Sequence, residues 1–222
     1  MIRWAAVEPS TLELRHEGGE DQLAAASTIK LFVASAFWRS GLDPAEEAAV
    51  PPTGSAGVAE HLSGRSTLGD LAFLALAVSD NAATNVLLER LGLEAVSREI
   101  RRLGLERTAV RRPMMSEGPE NVTCAADLAL GLARLATDSV WPPLGRALAA
   151  GAETTSILQA YLPAGVTLYP KYGELETVRH EVVLLERNGR RLSVAACSSP
   201  PAQPHELALR IAEIWRDGSN SG

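Results

Sequence analysis

The order of apolar and polar positions is strand-like at both ends of the chain and helical in between. Apolar residues alternate with polar ones in four short terminal runs, which predicts strands. Asn188-Gly189 separates the last two runs, and this dipeptide is a strong signal of a tight β-hairpin. A helix is predicted to follow, from Pro204 to Trp215, because its apolar positions form a wide stripe. The four predicted strands cover residues 2–7, 11–16, 182–186 and 191–196.

The central part of the chain is predicted to be helical. Thr67 and Asp70 have the spacing of a capping box at the start of one helix, and Gly92 and Gly104 end two others. Residues 45–63 and 105–122 show no period, and loops of this length in compact domains are often functional. Six helices are expected, over about residues 25–39, 67–78, 82–91, 94–103, 123–136 and 153–161.

This arrangement predicts an α+β fold. Both chain ends would build an antiparallel sheet with flanking helices, and an all-helical lobe would be inserted between them. We expect a single domain over residues 1–222, with a sheet lobe at about 1–22 and 164–222 and a helical lobe at about 23–163. A cleft between two such lobes is a preferred place for a ligand.

Composition excludes several classes of protein. A net charge of −6 argues against a nucleic-acid binder, which would carry a basic patch. Cys124 and Cys197 are too few for a disulfide framework, so we expect two buried free thiols. The four histidines are dispersed, and we expect neither a metal site nor a cofactor.

The expected partner is therefore a small-molecule substrate, with the oligomeric state left open. No apolar run is long enough for a membrane span, so no membrane partner is expected. The N-terminus predicts a strand and lacks the pattern of a signal segment. As the sequence stands we expect a cytoplasmic protein, or an exported one if a signal segment was removed.

Ser27 and Lys30 are the first candidate pair for chemistry. Their spacing places both side chains on one face near the start of a predicted helix. A serine hydroxyl needs a base to become a nucleophile, and a lysine is a base only if burial or nearby cations lower its pKa. The alternative is a capping serine beside a lysine that extends to solvent.

Ser79-Asp80-Asn81 is the second candidate, because it interrupts two helices directly after a long apolar run. A hydroxyl and an amide at such a break suit a proton shuttle and a substrate hydrogen bond. The alternative is an ordinary turn with an Asp or Asn helix cap.

Lys171-Tyr172-Gly173 is the third candidate and lies in a predicted extended segment. The lysine could hold an anionic substrate group, and the glycine would let a substrate backbone lie close to the strand. The next backbone amide, that of Glu174, could form an oxyanion hole together with the amide of Ser27.

In this order, the three motifs resemble those of the class A β-lactamase and penicillin-binding superfamily, S-x-x-K, S-D-N and K-T-G. The resemblance implies the fold expected above, with the active site between the lobes. It also implies that Ser27 is acylated, that Lys30 is its base and that Ser79 passes the proton to the leaving nitrogen. Asn81 would bind the substrate amide carbonyl and Lys171 its carboxylate. Similar sequence also surrounds the motifs, at residues 61–64, 81–85 and 162–165.

The sequence departs from the family in the loop before the fifth helix. There, class A β-lactamases carry a glutamate that activates the deacylating water, whereas alignment on Pro113 places Arg112 at that position. Glu117 or Glu120 could replace the glutamate, or both could be surface carboxylates. If neither residue replaces the glutamate, deacylation would be slow. We also hypothesise that the charge of Arg112 lowers the pKa of Lys30.

Other departures concern the rest of the cleft. Tyr172 replaces a small hydroxyl residue, and its ring would narrow the floor of the cleft. Arg179, at the start of the next strand, could bind a substrate carboxylate or be an ordinary surface residue. The loop at residues 45–63 has no aromatic residue to form a cleft wall.

The leading hypothesis is a serine β-lactamase-like hydrolase that is acylated at Ser27 by a β-lactam or a related amide or ester. The first alternative is a D,D-peptidase or esterase with little turnover of β-lactams. The second is a catalytically weak ligand-binding scaffold that keeps the fold, since fold alone does not imply function.

Overall fold

The computed structural model describes residues 1–51, 57–62, 65–155 and 157–218. Within these ranges the strands are β1 (Ile2–Val7), β2 (Leu14–Glu17), β3 (Leu23–Ala24), β4 (Glu47–Ala49), β5 (Arg65–Thr67), β6 (Val122–Thr123), β7 (Thr167–Leu175), β8 (Val178–Arg187) and β9 (Arg190–Ser198). The α-helices are α1 (Lys30–Arg39), α2 (Leu68–Ala77), α3 (Asn81–Leu91), α4 (Leu93–Arg102), α5 (Ala125–Leu135), α6 (Trp141–Thr155) and α7 (Pro204–Asp217). The predicted α+β class is confirmed.

Both chain ends form one antiparallel sheet, in the strand order β2-β1-β9-β8-β7. The hairpin predicted at Asn188-Gly189 is present: both residues have positive φ, at 51° and 80°, as a type I′ turn requires. The second strand was predicted too early. The amides of Thr11 and Leu12 bond to the carbonyl of Glu8, so these residues belong to the turn and pairing starts at Leu14.

Strands β8 and β9 are buried on both faces, which explains their nearly continuous apolar sequences. One face of β8 and β9 joins the core formed by the helices, as Val182 and Cys197 do. The other face packs against α7, where Leu207, Ile211 and Trp215 are buried. Both cysteines are buried free thiols, as predicted.

Most predicted helices are present, and their caps explain where they begin. The Thr67 hydroxyl accepts from the amide of Asp70 at 3.1 Å and starts α2. The expected N-cap of α5, Thr123, is wrong, because Thr123 pairs with Leu23 between β3 and β6. Cys124 takes the cap position instead, and its Sγ accepts from an amide one turn later.

The helix expected over residues 153–161 is wrong. The chain forms α6 from Trp141, and a short 3-10 helix follows at Leu158–Tyr161, with residue 156 outside the described ranges. Pro142 and Pro143 hid the start of α6 in the sequence. Both lie in its first turn, where prolines are tolerated because those N–H groups have no partner within the helix.

Two features of this fold place the candidate motifs. A 3-10 helix at Ala26–Ile29 leads into α1, where the sequence predicted one continuous helix from residue 25. Strand β7, at the edge of the sheet, runs beside this 3-10 helix. The loop at residues 45–63 contains β4, which pairs with β5 directly after the loop, whereas residues 52–56 and 63–64 lie outside the described ranges. None of the helices in the described ranges is both long and apolar enough to cross a membrane.

Candidate active site

Ser27 lies in the 3-10 helix that leads into α1, in a half-buried position. The preceding residue, Ala26, has a φ of 47°, a left-handed conformation that is uncommon outside glycine. Gly173 of β7 packs directly on this turn. A Cβ at Gly173 would lie 3.0 Å from the amide nitrogens of both Ser27 and Thr28, so a larger residue here would press on this turn. Among the described residues, the Ser27 hydroxyl makes no hydrogen bond.

Lys30 lies at the start of α1 with its side chain fully buried. Its Nζ donates to Asn81 Oδ1 at 2.6 Å, to the Ser79 carbonyl and to Ser79 Oγ at 3.3 Å. Burial lowers the pKa of Lys30 to about 7, although the negative charge of Asp80 acts in the opposite direction. A substantial fraction of this amine is therefore neutral at physiological pH, as a general base requires.

The second motif forms the junction between α2 and α3. Ser79 has a φ of 59°, which turns the chain between the two helices. The buried Asp80 carboxylate caps α3 by accepting from the amide of Ala83 at 2.8 Å. Its other oxygen accepts from the amides of Val58 and Ala59, at 2.6 and 2.9 Å. Asp80 therefore also fixes the loop from residue 57 onward, a role that the sequence reasoning missed.

Lys171 reaches the same serine from β7. Its Nζ donates to Ser79 Oγ at 2.9 Å and to the Tyr172 carbonyl at 3.0 Å, and the side chain is buried. Burial and the charge of Lys30 hold the pKa of Lys171 well below its usual range. Ser79 Oγ thus lies between two amines. Because both amines are buried, a positive charge on each at the same time would cost free energy.

Lys30 and Lys171 are the only two lysines in the sequence, and all other basic side chains apart from the histidines are arginines. Both lysines are buried at this site. An arginine stays charged at all accessible pH values, whereas a buried lysine can become neutral. This scarcity of lysine is a signal that could have identified both residues from the sequence.

The other residues expected to bind substrate lie around β7. Tyr172 is 37% exposed, and its ring centroid lies 4.5 Å from Lys171 Nζ. The carboxylate of Glu174 forms an ion pair with Arg179, which is directly opposite on β8. Arg179 also donates to the Ala202 carbonyl at 2.6 Å, so its guanidinium is engaged within the protein. The role of the Glu174 amide in an oxyanion hole stays a prediction.

Arg112 is bound within its own loop. Its guanidinium donates to the Ser116 carbonyl and pairs with the Glu120 carboxylate. The lowered pKa of Lys30 results from burial, so the hypothesis that Arg112 causes it has no support in the structure. Glu120 lines the cleft beside Ser27, whereas Glu117 is exposed and is not part of the cleft wall.

Two asparagines hold the loop around Arg112 in place. The Asn85 amide bonds both backbone groups of Met114, accepting at 2.7 Å and donating at 3.0 Å. The Asn121 side chain accepts from the amides of Arg111 and Arg112 and donates to the Arg112 carbonyl. The sequence reasoning assigned no role to either asparagine, because each acts on backbone groups of another segment.

The cleft at Ser27 is small, about 90 Å³. The charged residues of its walls are Arg112, Glu120 and Glu174, and the rest of the lining is largely apolar. Within the described part of the chain, no group of three His, Cys, Asp or Glu side chains could hold a metal ion. The lining residues are Ala26, Ser27, Asn81, Arg112, Pro113, Met114, Met115, Glu120, Asn121, Glu174 and Leu175.

Known proteins resemble this chain both in sequence and in fold. A sequence model described as the beta-lactamase enzyme family matches residues 2–217. The beta-lactamase from Sphaerobacter thermophilus DSM 20745 superposes with a TM-score of 0.86 at 23% identity, over 100% of this chain and 93% of that one. The class A beta-lactamase from Mycobacterium abscessus gives 0.83 at 20% identity, over 99% and 94% of the two chains. PBP-A gives 0.83 at 21% identity, over 98% and 90%.

A comparison with curated protein sequences gave no match. The family match nevertheless covers almost the whole chain, and the superpositions show the fold of class A beta-lactamases. The chain therefore belongs to the beta-lactamase enzyme family, and the resemblance inferred from the three motifs is confirmed.

Proposed function

We propose that the protein is a serine hydrolase that is acylated at Ser27 by a small-molecule β-lactam or a related amide or ester. The observation that carries the proposal is the buried Lys30 amine, whose pKa is about 7 and whose Nζ contacts Ser79 and Asn81. Such an amine is a base at neutral pH, and it begins the helix that follows the turn holding Ser27. Catalytic hydrogen bonds to the serine often tighten only when substrate is bound.

In the proposed reaction, Ser27 Oγ forms a bond to the acyl carbon of the substrate and its proton passes to neutral Lys30. The bond from the acyl carbon to the leaving nitrogen or oxygen then breaks. Ser79, which contacts both lysines, returns the proton to the leaving group. The backbone amides of Ser27 and Glu174 would stabilise the oxyanion.

We further propose that the acyl-enzyme is released slowly. Of the two carboxylates considered as a base for deacylation, Glu120 is paired with Arg112 and Glu117 is exposed. Loss of a general base slows its step by roughly 10²–10⁴-fold. The L158E mutant of PBP-A is described as an acyl-enzyme complex with penicillin G, which supports a covalent intermediate on this fold.

A D,D-peptidase or esterase is the second candidate function. Its esterase form is favoured by Tyr172, because the ring lies against Lys171, the residue expected to bind a substrate carboxylate, and a simple ester carries none. A ligand-binding scaffold is the third. It would account for a Ser27 hydroxyl that has no hydrogen bond among the described residues.

Intact mass spectrometry distinguishes these functions. The protein is incubated with a fluorescent penicillin and, separately, with an activated ester, and the mass is followed over time. We expect an adduct that persists on Ser27, is absent in Ser27→Ala and is retained in the control Ser97→Ala. Rapid loss of the penicillin adduct would indicate an efficient β-lactamase instead. Reaction with esters alone would favour the esterase. An absence of adducts from both reagents would overturn the proposal.

A further inference from the structure

The buried amine of Lys171 is covered by the residue that follows it. Lys171 is 1% exposed, and its Nζ donates to Ser79 Oγ at 2.9 Å and to the Tyr172 carbonyl at 3.0 Å. The Tyr172 ring lies against the same nitrogen, with the centroid at 4.5 Å, which is cation–π distance. These three contacts surround the nitrogen on the sides from which a substrate group could reach it. A substrate carboxylate could bind this amine only after displacing Tyr172.

The two arginines nearby are also engaged within the protein. Arg179 pairs with Glu174 and donates to a backbone carbonyl, and Arg112 pairs with Glu120. The carboxylates of Glu174 and Glu120, in contrast, are about half exposed, at 53% and 49%, and both residues line the cleft. An anionic substrate would therefore meet two ion pairs whose more exposed members are carboxylates, and Arg112, the cation among the described residues that line the cleft, is already paired.

The size and lining of the cleft restrict the acyl group as well. Its volume is about 90 Å³, whereas a protein cavity of roughly 150 Å³ holds a benzene molecule. Ala26, Pro113, Met114 and Leu175 supply apolar wall beside Ser27. A short apolar acyl chain fits this space better than a bulky or charged one.

We propose that Tyr172 makes the site prefer neutral esters or amides that have a short acyl group and no carboxylate on the leaving group, so that carboxylated substrates, penicillins included, acylate Ser27 more slowly. This inference rests on the proposed acylation of Ser27 and names its substrate class. Tyr172 acts by covering Lys171, so a smaller side chain at position 172 is expected to restore binding of a carboxylate.

Two chromogenic esters test the proposal. One is para-nitrophenyl acetate, and the other is the same ester with a carboxylate on the ring of the leaving group. The kcat/KM values for both are measured in wild type, Tyr172→Thr and Tyr172→Phe, and the background rate with Ser27→Ala is subtracted. Tyr172→Phe is the matched control because it keeps the ring over Lys171 and removes only the phenol. The ratio of the two values is insensitive to a general loss of active protein.

We expect wild type and Tyr172→Phe to prefer the neutral ester. Tyr172→Thr should shift the ratio toward the carboxylated ester by roughly tenfold or more, the usual effect of one charge-assisted hydrogen bond. A wild-type preference for the carboxylated ester would overturn the inference without any variant. An unchanged ratio in Tyr172→Thr would do the same, while Ser27-dependent hydrolysis would still support the proposed function. If neither ester reacts at Ser27, the inference is wrong, and the proposed function then depends on the penicillin experiment alone.

A second measurement does not depend on activity. Because the chain has only two lysines, protein grown with lysine labelled with carbon-13 at Cε gives two side-chain NMR signals. Titration with sodium acetate should move the Lys171 signal in Tyr172→Thr and leave it unchanged in wild type and Tyr172→Phe. A saturable shift in wild type would show that an anion reaches Lys171 past Tyr172 and would overturn the inference.

Discussion

Lys30→Met is expected to stabilise the folded protein at neutral pH while it abolishes acylation of Ser27. Lys30 is fully buried, and its pKa in the folded protein is about 7, compared with an ordinary value of 10.5. The unfolded chain therefore binds this proton more tightly than the folded one. Methionine has a similar length and no charge, so it can fill the same space without this cost.

The magnitude follows from the difference between the two pKa values. Each pH unit corresponds to about 1.4 kcal/mol, so burying the amine at pH 7 costs about 4–5 kcal/mol. Methionine leaves the Ser79 carbonyl and Asn81 Oδ1 without their donor, which costs about 1–3 kcal/mol for each group. The net gain at pH 7 is on the order of 1 kcal/mol, or about 2–4 °C in Tm for a chain of this size.

The pH dependence gives a sharper test than the stability at one pH. The folded-state pKa is depressed, so the unfolded chain holds the extra proton between about pH 7 and pH 10.5, and wild type becomes more stable as pH rises through this window. The cost of the buried amine falls by about 3 kcal/mol between pH 7 and pH 9.5. Lys30→Met has no such group, so wild type should become the more stable of the two proteins at pH 9.5.

Urea unfolding at pH 7 and pH 9.5 measures this change. Wild type, Lys30→Met and Arg98→Met are compared, the last because it removes an exposed cation distant from Ser27 in the sequence. The stability difference between wild type and Lys30→Met should change by about 3 kcal/mol between the two pH values, and that for Arg98→Met should stay nearly constant. A change below about 1 kcal/mol for Lys30→Met would refute the reasoning, because it would mean that burial does not depress the pKa of Lys30.

Three further predictions concern the site. The rate of Ser27 acylation should rise roughly tenfold from pH 6 to pH 8 with an inflection near 7, because neutral Lys30 replaces its protonated form. A flat pH profile in stopped-flow assays would contradict this. Gly173→Ala should reduce acylation strongly and destabilise the protein by about 1–3 kcal/mol, because the new Cβ meets two amides of the Ser27 turn; near-normal activity would contradict the required close approach. Arg112→Ala should leave the pKa of Lys30 unchanged in an NMR titration of the two labelled lysines, since burial sets that pKa; a rise of about one unit would restore the hypothesis drawn from the sequence.

Much of the fold could be predicted from local patterns. The first strand, the last hairpin with its turn at Asn188-Gly189 and the cap at Thr67 depend on neighbours within a few residues, and these predictions held, whereas the second strand was placed too early. The start of α6 was missed because Pro142 and Pro143 break a pattern that a first helical turn tolerates. Strands β3 and β6 have two residues each, too few for any periodicity to appear.

The sequence predicted the motifs of the site but not the contacts between distant segments that hold it together. The motifs around Ser27, Ser79 and Lys171 could be found because each is a short run of residue types in a fixed order. The structure places Ser79 between the two lysines. The backbone clamps made by Asn85 and Asn121 could not be found, because they join segments distant in the sequence.

The sequence by itself determined the residue types that the chemistry needs, including its two lysines, and the local elements that carry them. Only the tertiary structure decided their protonation and their access to substrate. The pKa of Lys30 depends on burial by the whole core, and the environment of Lys171 depends on Ser79, 92 residues away, and on the ring of Tyr172. Desolvation and side-chain contacts of this kind arise only when distant segments pack together. The order of the motifs could therefore predict a nucleophile, but not the protonation of Lys30 or the contacts of Lys171.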